Sequence, residues 1–414
     1  MRRKETGMSQ YNTYFLMKEA DIAEYVREKI DFFQPDAKLK CKEIGDGNLN
    51  YVFRLWDTKS GESIIVKQAG ETTRISAEMK LSTDRGRIEA DILQLQGEYA
   101  KGLVPEVYLY DQVMCAMIMQ DMVGHTMMRT GLMNHEMYPR FAEDISTFLV
   151  NSLLSTSNLI MDPKEKKERV KQFINPDLCE ISEELVYTEP FTNHNHRNNV
   201  FPPNAEFVKK ELYEDEKLQL EAAKSKIAFL NNAQSLIHGD LHTGSIFVNQ
   251  EHTYVFDPEF AFYGPMGYDI GNVIANMFFA WCNGDATIED CEEKKVFCEW
   301  VLQTIEDIVD LFIAKYKIIF KEKVTERMAA VNGFAEWYLQ NILCDTASIA
   351  GFESIRRTVG MANVKDITSI KEEEKRARAE KIIITLAKDY IMNKEKFVNG
   401  AAYRKAIEET ISKF

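Results

Sequence analysis

Two short segments of this sequence place oxygen-bearing side chains where they could activate a hydroxyl and hold a metal ion. The segment HGDLHTGS runs from His238 to Ser245 and follows the apolar run SLI. An aspartate on a rigid loop can accept a proton from an attacking hydroxyl, which makes Asp240 the candidate general base. Asp257 and Glu259 flank Pro258 after the apolar run TYVF. Carboxylates so placed can face a hard cation, although turn chemistry also explains an Asp-Pro pair.

A second group of residues could grip phosphate oxygens. The turn GDGNLN, with Gly47, Asn48 and Asn50, lies between two predicted strands, so its backbone N–H groups are free to cradle oxygens. A plain hairpin turn is the alternative. Lys67 is the lone cation of the apolar strand IIVKQA, and Glu89 on the next predicted helix could fix its position. The alternatives are a strand-edge lysine and a surface glutamate.

Taken together, these residues are typical of phosphoryl transfer, which requires a phosphate grip, a bound metal ion and an oriented hydroxyl. The sequence contains no GxxxxGK[ST] segment, so it does not predict a P-loop enzyme. Asp269 could brace the loop that carries Asp240, and a helix N-cap accounts for it equally well.

The elements that must position these residues change in character along the chain. Short strands with tight connections are predicted at 38–45, 51–57, 63–69, 105–112 and 115–122. A leading helix is predicted within 13–33 and an amphipathic helix at 85–100. From 130 to 233 the pattern is mainly helical, and after a block of small strands and loops at 235–260 it is helical again beyond Gly271. The charged run at 371–381 is typical of the solvated face of a helix.

Composition limits the class of protein. The chain has 414 residues, of which 45% are hydrophobic, so it is long enough for two lobes with large cores. Its net charge of −14 argues against a nucleic-acid partner, because binding phosphate backbones requires clustered cations. Seven cysteines without CxxC spacing indicate reduced thiols in a cytoplasmic protein. We expect no signal peptide and no membrane span.

The motifs HGDLHTGSI and DPEFAFYGPMGYDIGN resemble the kinase-like family that includes aminoglycoside phosphotransferases and choline kinases. With GDGNLNYVF, they resemble the methylthioribose kinases within it. The resemblance implies an α+β, two-lobed protein-kinase-like fold. In it, a small antiparallel sheet lobe (1–122) precedes a larger, mainly helical lobe (123–414).

The resemblance also implies roles for particular residues. Asp240 would be the base that contacts the substrate, and Arg356 and Arg357 would reach the sugar. ATP would be bound by residues from both predicted lobes, namely Gly47, Asn48, Asn50, Lys67, Glu89, Gln120, Asp121, Met122, Val123, Asp257, Pro258 and Glu259. Gln120 to Val123 would form the hinge that binds adenine through its backbone. Asp257 and Glu259 would hold Mg²⁺ with Ser245, which stands where the wider family has an asparagine.

The expected activity is transfer of the γ-phosphoryl group of ATP to the 1-hydroxyl of 5-methylthioribose, a step of methionine salvage, by a homodimer. A phosphotransferase for an aminoglycoside, choline or homoserine is the alternative. A catalytically dead binding protein is disfavoured because Lys67, Asp240, Asp257 and Glu259 are all present. Nothing resembles the APE segment of a protein kinase.

Overall fold

The computed structural model describes residues 9–44, 50–70 and 82–414. It divides into two compact units, Met1–Val123 and Gly124–Phe414. None of the helices in these ranges combines the length and the apolar character that crossing a membrane would require. The predicted phosphate-binding residues Gly47 and Asn48 lie outside the described ranges.

The described part of the first unit contains one α-helix before the sheet and one α-helix between its third and fourth strands. Its elements are α1 (Glu19–Lys29), β1 (Leu39–Glu43), β2 (Asn50–Asp57), β3 (Ser63–Ala69), α2 (Asp84–Tyr99), β4 (Val107–Asp111) and β5 (Ala116–Gln120). The strands form an antiparallel sheet in the order β1-β2-β3-β5-β4. This confirms the predicted strand–strand–strand–helix–strand–strand order, with the leading helix shorter than expected.

Alternating side chains bury one face of this sheet. Phe53 and Leu55 on β2 point to the same side because side chains alternate along a strand. They pack in one core with Ile22, Tyr25 and Val26 of α1, which recur at helical spacing. The alternation therefore fixes the register, and Lys67 on β3 lies opposite Val52 and Met117.

The second unit is mainly helical. Its helices are α3 (Met128–Met133), α4 (Phe141–Ser155), α5 (Pro163–Gln172), α6 (Pro176–Tyr187), α7 (Glu189–Thr192), α8 (Ala205–Val208), α9 (Glu216–Asn231), α10 (Gly267–Thr287), α11 (Cys291–Lys323), α12 (Phe334–Val359), α13 (Lys365–Thr368), α14 (Glu373–Met392) and α15 (Gly400–Ile411). The helix α10 is buried along nearly its whole length and packs against α11 and α12. A helix that is buried on all sides lies in the centre of a unit, and its buried polar residues require hydrogen-bond partners there.

Short strands interrupt these helices and position the candidate site. They are β6 (Thr126–Met127), β7 (Ser235–Ile237), β8 (Ile246–Val248), β9 (Thr253–Val255) and β10 (Phe262–Gly264). Antiparallel pairing joins β7 to β10 and β8 to both β6 and β9. The loop between β7 and β8 (238–245, the catalytic loop) and the loop between β9 and β10 (256–261, the carboxylate loop) therefore leave adjacent strands.

One surface prediction is partly wrong. The run at 371–381 begins exposed, but Glu380 is only 1% exposed. Its carboxylate accepts hydrogen bonds from Arg376 and Asn204, and the Arg376 guanidinium lies over the Phe201 ring. The charge pattern did not reveal this because Asn204 lies 176 residues earlier in the chain than Glu380.

Candidate active site

The catalytic loop is held in place by a buried carboxylate that accepts hydrogen bonds from its backbone. Asp269, in the first turn of α10, accepts hydrogen bonds from the backbone N–H groups of His238 (2.7 Å) and Gly239 (3.0 Å). The helix begins after Met266, so Asp269 braces the loop and is not the N-cap. Gly239 has a φ of +83°, and a Cβ there would lie 2.3 Å from the carbonyl oxygen of Phe260. Only glycine permits this approach, which fixes the catalytic loop against the carboxylate loop.

Asp240 lies at the centre of a group of charges. Its Oδ1 accepts hydrogen bonds from Nη2 of Arg356 at 2.7 Å and from Nη2 of Arg357 at 3.3 Å, and His242 Nε2 lies 3.3 Å from its Oδ2. Its side chain is 23% exposed. Burial raises the pKa of Asp240, but its interactions with His242, Arg357 and Arg356 outweigh burial and hold the pKa well below its usual range. Asp240 is therefore an ionised acceptor at neutral pH.

His242 supports Asp240 as a neutral imidazole. Its Nδ1 accepts a hydrogen bond from the Gly244 N–H at 3.0 Å, which places the ring proton on Nε2, facing Asp240. Burial lowers the pKa of His242, Asp240 partly offsets this, and Arg129 lowers it further. A Cβ on Gly244 would lie 2.9 Å from the His242 ring, so the loop needs glycine there as well. Sequence reasoning missed His242, although its place two residues after Asp240 was a usable signal.

Ser245 is integrated into the catalytic loop. Its hydroxyl lies 3.2 Å from the Asp240 carbonyl oxygen and 3.2 Å from His242 Nδ1, and the residue is buried. A hydroxyl keeps acceptor lone pairs when it donates to either group. A metal-binding role for Ser245 stays a prediction.

The carboxylate loop presents Asp257 and Glu259 from a fixed backbone. Asp257 has a φ of +67°, the left-handed region that non-glycine residues rarely adopt. The Asn175 side chain donates to the carbonyls of Glu259 (2.8 Å) and Ala261 (3.2 Å), and His238 Nε2 lies 2.9 Å from the Phe256 carbonyl. Strained backbone held by several partners is typical of functional loops.

This donor set fits Mg²⁺. Among the described residues no group of three or more acidic, histidine or cysteine side chains forms an all-protein metal cage. Mg²⁺ is commonly held by one or two carboxylates and completed by substrate phosphates and water. Asp257 and Glu259 offer hard oxygen ligands of that kind.

The two arginines stand at the end of α12 and point inwards. Their side chains are each 12% exposed, and both donate through Nε to Glu353, which is 1% exposed on the same helix. A role in surface ion pairs, which would have little energetic value, does not fit this burial. The structure therefore brings Asp240, Arg356 and Arg357 together, whereas Glu353 was not predicted from the sequence.

In the first unit, Lys67 and Glu89 meet. Lys67 Nζ lies 2.8 Å from Glu89 Oε1, and the side chains are 12% and 2% exposed. A lysine fixed by a helical carboxylate presents a positioned point charge, which suits phosphate oxygens. Asn50, also predicted to bind ATP, is buried and begins β2.

The predicted hinge residues follow the end of β5. Gln120 closes the strand, and its N–H donates to the Glu106 carbonyl. The Asp121 carboxylate accepts from Arg54 Nε (2.6 Å) and the Ser63 hydroxyl (2.7 Å). Val123 is 61% exposed. The side chain of Asp121 is thus committed to the sheet.

Comparisons with known proteins identify the family of this chain. A family model described as "Phosphotransferase enzyme family" matches residues 40–290. Methylthioribose kinase of Bacillus cereus (strain 03BB102) is 37% identical over 403 residues, covering 96% of this chain and 98% of that protein. Methylthioribose kinase of Bacillus anthracis (strain CDC 684 / NRRL 3495) is 36% identical with the same coverage.

A solved structure shares the fold. Choline kinase from Cryptosporidium parvum Iowa II superposes with a TM-score of 0.51 at 14% identity, covering 93% of this chain and 100% of that one. The predicted protein-kinase-like α+β fold is therefore confirmed. Because the family model matches more than half of the chain and the relatives align over nearly its full length, the chain belongs to the phosphotransferase enzyme family and, within it, to the methylthioribose kinases.

Proposed function

We propose that this chain transfers the γ-phosphoryl group of ATP to the 1-hydroxyl of 5-methylthioribose, giving 5-methylthioribose 1-phosphate and ADP. The observation that carries the proposal is the contact of Asp240 with both Arg356 and Arg357. A carboxylate beside two guanidiniums offers one acceptor for the reacting hydroxyl and several donors for neighbouring sugar oxygens. A relative that is 37% identical over 96% of this chain is named methylthioribose kinase, which supports the proposal.

In the proposed reaction the sugar oxygen forms a bond to the γ-phosphorus while the bond from that phosphorus to the bridging oxygen of ADP breaks. The hydroxyl proton passes to Asp240. Charged neighbours make Asp240 a weak base, but a loose transition state leaves little covalent work for the protein beyond positioning and charge stabilisation. Asp240 therefore acts chiefly by orienting the hydroxyl, and the arginines stabilise charge on the transferred group.

Separate residues would bind ATP. Lys67, fixed by Glu89, would bind phosphate oxygens together with Asn50 and the turn residues Gly47 and Asn48. The backbone of residues 120–123 would bind adenine. Asp257 and Glu259, with Pro258 between them and Ser245 nearby in the fold, would hold Mg²⁺, which when bound neutralises the phosphate charge.

The charges around Asp240 disfavour the alternative acceptors. Choline and aminoglycosides are cations and require acidic partners in the acceptor site. Here the base is flanked by Arg356 and Arg357, and placing like charges close together costs on the order of several kcal/mol. A neutral sugar meets no such repulsion.

We also propose that the enzyme serves methionine salvage in the cytoplasm and acts as a homodimer. The resemblance to the methylthioribose kinases supports these three points. Light scattering behind size-exclusion chromatography measures the oligomeric state directly.

An assay of ADP release with methylthioribose, ribose, choline and kanamycin as acceptors tests the activity. We expect turnover with methylthioribose above the other three. Asp240→Asn should lower kcat by about 10²–10⁴-fold, the usual contribution of a positioned acid or base, while ATP still binds. Turnover that favours choline or kanamycin, or an active Asp240→Asn variant, would contradict the proposal.

A further inference from the structure

A buried carboxylate holds both arginines at the atom where each guanidinium begins. Glu353 lies three and four residues before Arg356 and Arg357 on α12, so helical spacing places it on the same face. Arg356 donates its Nε–H to Oε2 of Glu353, and Arg357 donates its own to Oε1 at 3.1 Å. The Nη2 atom of each arginine then reaches Asp240. Each guanidinium is thus fixed at two points.

Glu353 is itself held by an amide from the central helix. Asn276 of α10, 1% exposed, donates through Nδ2 to Glu353 Oε1 at 3.2 Å and to the Asn272 carbonyl at 2.9 Å. Its Oδ1 accepts from Arg129 Nη2 at 3.2 Å. Both the oxygen and the nitrogen of the Asn276 amide are therefore hydrogen-bonded, so Asn276 is fixed in orientation. Its hydrogen bond in turn restricts rotation of the Glu353 carboxylate.

A guanidinium is planar and rigid, so fixing its Nε–H direction fixes the plane in which the other N–H groups point. The positions of the donors around Asp240 therefore depend on Glu353, although that carboxylate does not itself contact Asp240. Burial raises the pKa of Glu353, but Arg356 and Arg357 outweigh it and lower the pKa below its usual value. The carboxylate is thus charged and matched to its two partners.

We propose that Glu353, secured by Asn276, is a positioning residue that sets the two guanidinium planes of Arg356 and Arg357 for acceptor binding and phosphoryl transfer. This inference rests on the proposed function. The competing view is that Glu353 only neutralises buried cations and contributes to stability. A buried ion pair is weak support for stability, because its desolvation cost rivals its Coulomb attraction, so the two views must be separated by kinetics.

The principal variant is Glu353→Gln. Glutamine keeps the shape, but Arg356 and Arg357 donate to different oxygens of Glu353, and glutamine replaces one of these oxygens by an NH₂ group that faces a donor. At least one guanidinium then loses its direction. Losing a charge-assisted hydrogen bond corresponds to a loss of about ten- to a hundredfold in kcat/KM for methylthioribose. The KM for ATP should change by less than about twofold, because uniform binding of ATP is untouched.

The chain offers a closely matched control in Glu380→Gln. Glu380 is also 1% exposed and also accepts from an arginine Nε (Arg376, 3.0 Å) and an asparagine amide (Asn204, 2.9 Å). It lies on α14, one of the helices of the same unit. Both variants replace a buried carboxylate by an amide beside an arginine, but only Glu353→Gln should lower kcat/KM for methylthioribose.

Asn276→Ala provides an independent variant that retains the carboxylate. We expect a loss in the same direction, about two- to tenfold in kcat/KM, because the net value of one hydrogen bond is lost. If Glu353→Gln does not fold, Asn276→Ala decides the question. Kinetics like those of Glu380→Gln in whichever variant folds would overturn the inference. If the wild type does not phosphorylate methylthioribose, the proposed function fails instead.

Discussion

The two arginines beside Asp240 should differ in importance, because their distances to the same oxygen differ. Arg356 Nη2 lies 2.7 Å from Asp240 Oδ1, and Arg357 Nη2 lies 3.3 Å from it. Strong bonds from a cationic nitrogen to a carboxylate oxygen are about 2.7–2.9 Å long. Arg356 therefore makes the stronger contact, and Arg357 makes a long one.

The magnitudes follow from this geometry. A hydrogen bond to a charged group contributes about 1.5–3 kcal/mol, and each 1.4 kcal/mol is about tenfold. Arg356→Ala should thus lower kcat/KM for methylthioribose about ten- to a hundredfold. Arg357→Ala should lower it by about three- to tenfold, the net value of a weaker bond. In either variant Glu353 keeps the other arginine and Asn276 as partners, so both proteins should fold.

The assay is ADP release at saturating ATP with methylthioribose varied, then the reverse. Each variant is the matched control of the other, since both remove one guanidinium from one face of α12. Equal losses, or a larger loss in Arg357→Ala, would refute the assignment of the stronger contact to Arg356. A loss confined to the KM for ATP would show that neither arginine serves the acceptor.

Three further outcomes test other parts of the molecule. Glu89→Gln should raise the KM for ATP by about tenfold or more, because Lys67 loses a buried partner at 2.8 Å; an unchanged KM in ADP-release kinetics would show that the pair is structural. Glu259→Ala should shift the Mg²⁺ titration of the rate to higher concentration, while an unshifted titration would assign the metal to Asp257 and water. Burial raises the pKa of Asp345 from 3.8 to about 6, because the folded protein disfavours the charged carboxylate. The folded state is therefore not penalised below pH 4, where the carboxyl is neutral, and it loses stability as the pH rises through 6. Asp345→Asn should therefore gain up to about 3 kcal/mol in urea melts at pH 7.5 and nothing at pH 4; equal melts at both pH values would contradict this.

The sequence indicated the candidate reacting side chains more readily than the residues that hold them in place. Asp240, Asp257 and Glu259 stand in short motifs whose spacing reflects local loop geometry, and this could be read directly. Glu353 was missed because its role depends on α10 and α12 packing together, which brings in Asn276 from 77 residues away. A partial signal was present, since a glutamate three and four residues before two arginines favours helical ion pairs.

Burial was the other quantity that the sequence did not supply. Asp269 could brace the loop or cap a helix, and only the start of α10 after Met266 decides for the brace. Glu380 stood in a run of charges that resembled a solvated face, yet its carboxylate is buried and accepts a hydrogen bond from Asn204 of a distant segment as well as from Arg376 of the same run. Charge patterns report composition along one helix, whereas enclosure depends on what the rest of the fold places over it.

The close approach of Gly239 to the Phe260 carbonyl also limits how such an enzyme can diverge to accept other molecules. No side chain fits between the backbones of Gly239 and Phe260, so the catalytic loop and the carboxylate loop are packed as one unit. Neither loop can move away to admit a bulkier acceptor. Space for a bulkier acceptor must instead come from the C-terminal end of α12, where Arg356 and Arg357 reach the site through long, rotatable side chains. We therefore expect substitutions that change the acceptor preference to accumulate on α12, while the contact between Gly239 and Phe260 stays unchanged.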